Sequence, residues 1–299
     1  MTRRVLARRS SGFVLLVFAF LAACDQGPST STETASQKAR ETPRSVAAKV
    51  LAAHGGRDAW NALHTVCVDR EHHLTGQPRA WDYSFCADYK TERLYMEWRF
   101  PPGLLVWDGE RAWSVDWAPA EFILPRFAMG IGFFAINLPY FINSTDADLV
   151  SLEKRTGQAP GDGREYWVLG VEFEGQSARK PASVPTARDL TEIYIDPETF
   201  IIAGTHFNWS YAEQLDIRGQ GERAFFQNYV VQDYVEHRGI KWPSHYIIYD
   251  REGNVTTRGR YFDYTFDEPL DEAIFRPPDN AKFDNSSSYQ RALEPAADG

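Results

Sequence analysis

Residues 65–88 read TVCVDREHHLTGQPRAWDYSFCAD, and the period of this stretch decides the fold. Successive strand side chains point to opposite faces. Val66, Val68, Arg70, His72 and Leu74 therefore share one side, with Cys67, Asp69, Glu71 and His73 on the other. Thr75-Gly76-Gln77-Pro78 is a turn signal. Beyond it Trp81, Tyr83, Phe85 and Ala87 share one face, and Asp82, Ser84, Cys86 and Asp88 the opposite one. A two-residue loop at Gly76-Gln77 sets Val66 opposite Ala87, Val68 opposite Phe85 and Cys67 opposite Cys86. A slip of one residue would break all of these matches. The register predicts a Cys67–Cys86 disulfide on the polar face, worth roughly 3 kcal/mol in the chain-entropy view. The alternative is two free thiols.

Outward from this hairpin the period of two persists. Leu94, Met96, Trp98 and Phe100 alternate with Tyr95, Glu97 and Arg99. Asp108-Gly109 joins Leu104–Trp107 to Arg111–Val115. Further strands are read at 166–174, 190–196, 200–211, 224–237, 244–250 and 256–266. Two short helices precede the hairpin, at Ser45–Ala53, stopped by Gly55-Gly56, and at Arg57–Leu63. Arg126–Ile142 is almost wholly apolar and reads as a buried or cavity-lining helix interrupted near Pro139. Asp271–Phe275 suits a final helical turn. There is no alternation of strand and helix. The order predicts an α+β, mainly β, fold: one large curved antiparallel sheet, unclosed, with a few helices lidding its concave face.

The ends carry a different signal. Arg3, Arg4, Arg8 and Arg9 precede the apolar run 13–20, and Leu21-Ala22-Ala23-Cys24 follows. A basic start, an apolar core too short to span a bilayer and a small-residue exit describe a secretory signal. Leu-Ala-Ala-Cys resembles the bacterial lipobox, which implies cleavage before Cys24 and lipid attached to its thiol. Two or more acyl chains suffice for stable anchoring. Asp25 resembles the signal for inner-membrane retention, though the choice of membrane stays open. Residues 24–44 are polar and read as a flexible tether, 45–283 as the folded domain and 284–299 as a disordered tail.

The whole chain has net charge −9. Removing the four signal arginines leaves 28 basic residues against 41 acids, or −13. Such a chain has no electrostatic footprint for nucleic acid.

The chain is similar to the LolA/LolB-like superfamily of envelope lipoprotein-handling proteins. The resemblance rests on His54-Gly55-Gly56, Ala59–Val66, Trp107–Trp113, Asn137–Phe141, Ile193–Thr199, Gly239–Pro243 and Phe275–Pro278. It implies a half-barrel whose apolar cavity takes acyl chains of lipids or lipoproteins. Aromatic content is 14%. Trp81, Tyr83, Phe85, Met96, Trp98, Phe133, Phe134, Phe207 and Trp209 are the candidate cavity wall. Each also suits an ordinary core.

Catalysis is not expected. His72 and His73 are consecutive on a strand and point apart. His206, His237 and His245 fall on separate strands without metal-ligand spacing. No nucleophile elbow, phosphate loop or zinc-protease motif occurs. The expectation is a membrane-anchored, periplasm-facing lipoprotein that binds a lipid or lipoprotein acyl chain, with no cofactor or metal. The competing reading is a docking module that binds an envelope protein partner and no lipid.

Overall fold

A computed structural model describes residues 41–117, 124–143, 147–157, 162–173, 191–209 and 225–284, with backbone alone at 173, 207–209 and 225–227. The signal, Cys24, most of the tether and nearly all of the tail lie outside the described residues.

Helix α1 (Pro43–Ala53) begins two residues before the expected start. Thr42 is the reason: its hydroxyl accepts from Ser45 N–H, and the Ser45 hydroxyl accepts from Thr42 N–H, a reciprocal cap ahead of Pro43. Helix α2 (Gly56–Asn61) follows a left-handed turn at Gly55, φ 107°. A Cβ on Gly55 would lie 2.5 Å from the Gly239 carbonyl oxygen, so the turn packs tightly against the hairpin carrying Gly239.

The sheet opens with β1 (Thr65–Leu74), β2 (Trp81–Asp88), β3 (Arg93–Phe100), β4 (Pro102–Trp107) and β5 (Ala112–Val115). Next come α3 (Pro125–Phe141), β6 (Ala147–Thr156), β7 (Glu165–Phe173), β8 (Thr191–Ile195) and β9 (Ile202–Trp209). The chain closes with β10 (Phe225–His237), β11 (Ile240–Tyr249), β12 (Val255–Phe266), a 3-10 turn at Glu272–Phe275 and β13 (Lys282–Asp284).

All thirteen strands form one sheet in the order β13-β5-β4-β3-β2-β1-β12-β11-β10-β9-β8-β7-β6. Every pairing is antiparallel. It is two meanders, β1–β5 and β6–β12, joined where β1 pairs with β12. The end strands β6 and β13 do not pair with each other, so the sheet stays unclosed. Inner side chains from Ala112 of β5 round to Val171 of β7 belong to one apolar core with Val46 and Val50 of α1 and Phe127, Phe134 and Leu138 of α3. A sheet that brings so many strands onto the same helices is curved, and its concave face is the lidded one. The expected fold class is the observed one.

The β1–β2 register matches the sequence reading: Val66 faces Ala87, Cys67 faces Cys86 and Val68 faces Phe85. Cys67 and Cys86 are disulfide-bonded, with their Cα atoms 4.1 Å apart. On the same outer face Ser84 Oγ donates to Asp69 at 2.6 Å, and Arg99 donates to Ser84 at 2.7 Å and to Asp82. The loop differs from the two-residue expectation. Pairing ends at His72 and Trp81, and Gln77 N–H closes onto Leu74 carbonyl at 3.0 Å.

Two other features depart from the reading. Helix α3 runs unbroken through Pro139. Proline so close to the helix end forfeits a single N–H bond to the carbonyl of residue 135. The edge strand β6 has no counterpart among the strands expected from sequence. Its pattern of exposure follows no period of two, and Val150 is bulged between Leu149 and Ser151 and 43% exposed.

Candidate ligand cavity

Helix α3 turns one stripe toward the sheet. Ala128, Ile131, Phe134, Ala135 and Leu138, at helical spacing, line a cavity of about 190 Å³ between α3 and the concave face. That is many times the roughly 10–15 Å³ that holds one water molecule. Opposite α3 stand Leu74 of β1, Trp81 and Tyr83 of β2, Trp98 of β3, Ile202 of β9, Tyr229 and Val231 of β10, and Ile248 of β11. The aromatic part of the wall is held by ring contacts. Tyr83 stacks on Trp98 with centroids 4.0 Å apart, and Trp81 meets Trp98 edge-on at 5.5 Å.

Of the candidate wall residues, the structure brings Trp81, Tyr83, Trp98 and Phe134 together on this cavity. Phe85 and Met96 are buried behind it, under α3. A Cβ on Gly132 would lie 2.4 Å from Met96 Cε and 3.8 Å from the Phe85 ring, so the helix backbone covers both. Phe133 projects from a different stripe of α3 and lines a second cavity with Trp60, Tyr89 and Tyr140. Phe207 and Trp209 lie on β9, and their side chains are outside the described residues.

The wall also has a polar floor that the sequence reading did not single out. Arg70, on the inner face of β1, is only 5% exposed. Its Nε donates to Tyr246 Oη at 2.8 Å and its Nη1 to Tyr83 Oη at 2.5 Å. The guanidinium carbon lies 4.8 Å from the Tyr246 ring centre and 5.1 Å from that of Tyr261. His72, next on the same face, places Nδ1 3.0 Å from Tyr246 Oη. Burial, and then the Arg70 cation, hold the His72 pKa well below the ordinary imidazole value. His72 is therefore neutral at pH 7, and its Nδ1 can accept the Tyr246 proton. Burial pushes the Tyr83, Tyr229 and Tyr246 hydroxyls up, so the cluster carries the single positive charge of Arg70.

Gly259 makes this arrangement possible. It sits on β12 between His72 on β1 and Tyr246 on β11, and an added Cβ would fall 2.1 Å from the Tyr246 hydroxyl oxygen. The Tyr246 ring occupies the space that a side chain would fill.

No family model and no curated protein matches the chain. Among solved structures it is similar to a LolA superfamily protein from Nitrosomonas europaea, at 13% identity and TM-score 0.48. The match covers 79% of this chain and 98% of that one.

An outer membrane lipoprotein-sorting protein domain from Vibrio parahaemolyticus matches at 10% identity, TM-score 0.43, over 77% of this chain and 94% of its own. A DUF1329 family protein from Desulfovibrio piger matches at 10% identity, TM-score 0.46, over 79% and 98%. Likeness at this level concerns the course of the chain and assigns no ligand. Among the described residues no group of three or more His, Cys, Asp or Glu side chains is placed to hold a metal, and no helix is long and apolar enough to cross a membrane.

Proposed function

We propose that this protein is a lipoprotein of the bacterial cell envelope, anchored through lipid on Cys24, that binds the acyl chain of a lipid or lipoprotein in the cavity under α3. The observation that carries the reading is the cavity itself. An apolar stripe of α3 faces an aromatic and aliphatic wall across open space instead of packing shut against it. The lipobox-like Leu21-Ala22-Ala23-Cys24 supports the anchor, and the cross-strand disulfide supports export to an oxidising compartment. The domain faces the periplasm, and Asp25 favours the inner membrane. Trp81, Tyr83, Trp98 and Phe134 are the acyl-contacting side chains, and no catalytic step is assigned to them.

The test is extraction of the purified full chain followed by mass spectrometry, paired with titration by a fluorescent acyl probe. The native chain carries or takes up acyl material. Ala135→Trp, which puts an indole into the cavity from α3, lowers probe affinity at least ten-fold while the protein stays folded. An empty native chain that ignores the probe would overturn the reading and favour a docking module.

A further inference from the structure

The Arg70 guanidinium has five N–H donors, and two of them are used, both on tyrosine hydroxyls. No carboxylate among the described residues pairs with it. The second cation on the cavity wall, Lys241, differs: its Nζ lies 3.5 Å from Glu236. Removing a charge from water without a counter-charge is among the most costly things a fold can do. Tyrosine rings and hydroxyls offset part of that cost without neutralising the charge. Two further groups beside Arg70 are unfinished in the same way. The Tyr229 and Tyr261 hydroxyls are buried side by side and make no hydrogen bond to any group beyond each other. Arg70 of β1 and Tyr229 of β10 both line the cavity, whose wall is mainly apolar, and Tyr261 of β12 lies beside Arg70.

We infer that this cavity selects an anionic amphiphile, whose terminal oxyanion, a carboxylate or a phosphate, pairs with Arg70 while its chain lies along α3. The inference rests on the acyl-binding reading above and adds the head group to it. Guanidinium presents parallel N–H groups that match two oxygens of a carboxylate or phosphate at once. Tyr229, on the same wall, supplies a further donor, and neutral His72 adds no competing charge. Hydrogen bonds to a charged partner are worth roughly 1.5–3 kcal/mol, or about 10- to 150-fold in affinity.

The experiment compares three probes with the same twelve-carbon chain: laurate, dodecyl phosphate and dodecanol. Each is titrated below its micelle concentration into the full chain carrying Cys24→Ala, so that no attached lipid competes. The native cavity binds one or both anions at least ten-fold more tightly than dodecanol, and the tighter of the two assigns the head group. Arg70→Met abolishes the preference and keeps dodecanol binding, whereas Arg70→Lys retains a preference for the anions. A purely structural arginine would alter stability on substitution without moving the head-group preference. Equal binding of all three probes by the native chain overturns the inference and leaves the acyl-binding reading intact. Binding of none of them overturns both. The native comparison decides even if Arg70→Met does not fold.

Discussion

Gly259→Ala tests the packing beneath the polar floor by the sign of its effect. Where an added methyl meets nothing, replacing glycine in a strand stabilises a protein by roughly 0.4–1 kcal/mol, because the unfolded chain loses freedom. At Gly259 the methyl carbon would lie 2.1 Å from Tyr246 Cζ and Oη and 2.5 Å from Cε1. Ordinary carbon contacts are about 3.5–4.0 Å, so the ring must retreat by roughly 1.5 Å. Tyr246 is 1% exposed, so it has little room to do so. Overpacking of this kind costs roughly 1–3 kcal/mol. The retreat also breaks the Arg70–Tyr246 hydrogen bond, a charge-assisted contact worth roughly 1.5–3 kcal/mol. One displacement causes both losses, so they overlap, and the expected destabilisation is about 3 kcal/mol. Urea unfolding followed by tryptophan fluorescence reads it as a lower midpoint at unchanged slope. Repeating the substitution with Tyr246→Ala in the background removes the collision, and there Gly259→Ala costs less than about 1 kcal/mol. A neutral or stabilising Gly259→Ala in the native background would refute the packing argument, as would equal costs in both backgrounds.

Two further outcomes follow from the fold. The paired substitution Cys67→Ala with Cys86→Ala lowers stability by about 3 kcal/mol, since the bridge closes a loop of separation 19. Calorimetry of the oxidised, reduced and substituted proteins checks this, and coincident transitions would contradict it. Acidification destabilises the domain before its carboxylates titrate. His54 is wholly buried, with Nδ1 2.9 Å from Val50 carbonyl, and burial lowers its pKa from 6.5 to about 4. The unfolded chain therefore binds the proton first. The contribution is full above pH 6.5 and is lost as pH falls toward 4, at roughly 2 kcal/mol between pH 6.5 and 5. His72, lowered in the same direction, adds to that slope. Urea midpoints taken across this window fall, and His54→Asn flattens the fall; a midpoint independent of pH would be the contrary result.

Much of the architecture was legible because local signals agreed with one another. In β1 and β2 the alternation, the turn and the two cysteines select one register, and a slip would violate all three. The loop length was not legible, since extra connecting residues change no facing pair. Edge strand β6 escaped because a strand with one neighbour and little buried surface has no apolar period to show. The cavity was legible in part. Strand parity correctly puts Tyr83, Phe85, Met96 and Trp98 on the inner face. Which of them border open space depends on where the backbone of α3 at Gly132 comes down, a tertiary fact with no local trace. A trace of the polar floor did exist. Arg70 and His72 interrupt the apolar face of the opening hairpin, and a charge on the buried side of a strand is itself a signal. The hairpin register already sets Tyr83 opposite Arg70, but Tyr246 and Tyr261 come from strands near the other end of the chain, which periodicity cannot associate.

An unclosed sheet leaves two rows of backbone groups available to a second molecule, and each end handles this differently. At β6 the bulge at Val150 interrupts the even spacing of the row. Beyond it, Glu153, Lys154 and Arg155 set opposite charges side by side along the rim. At β13 the strand is three residues long, too short to template a stable partner. Copies of this chain at high local concentration can therefore crowd together without polymerising edge to edge.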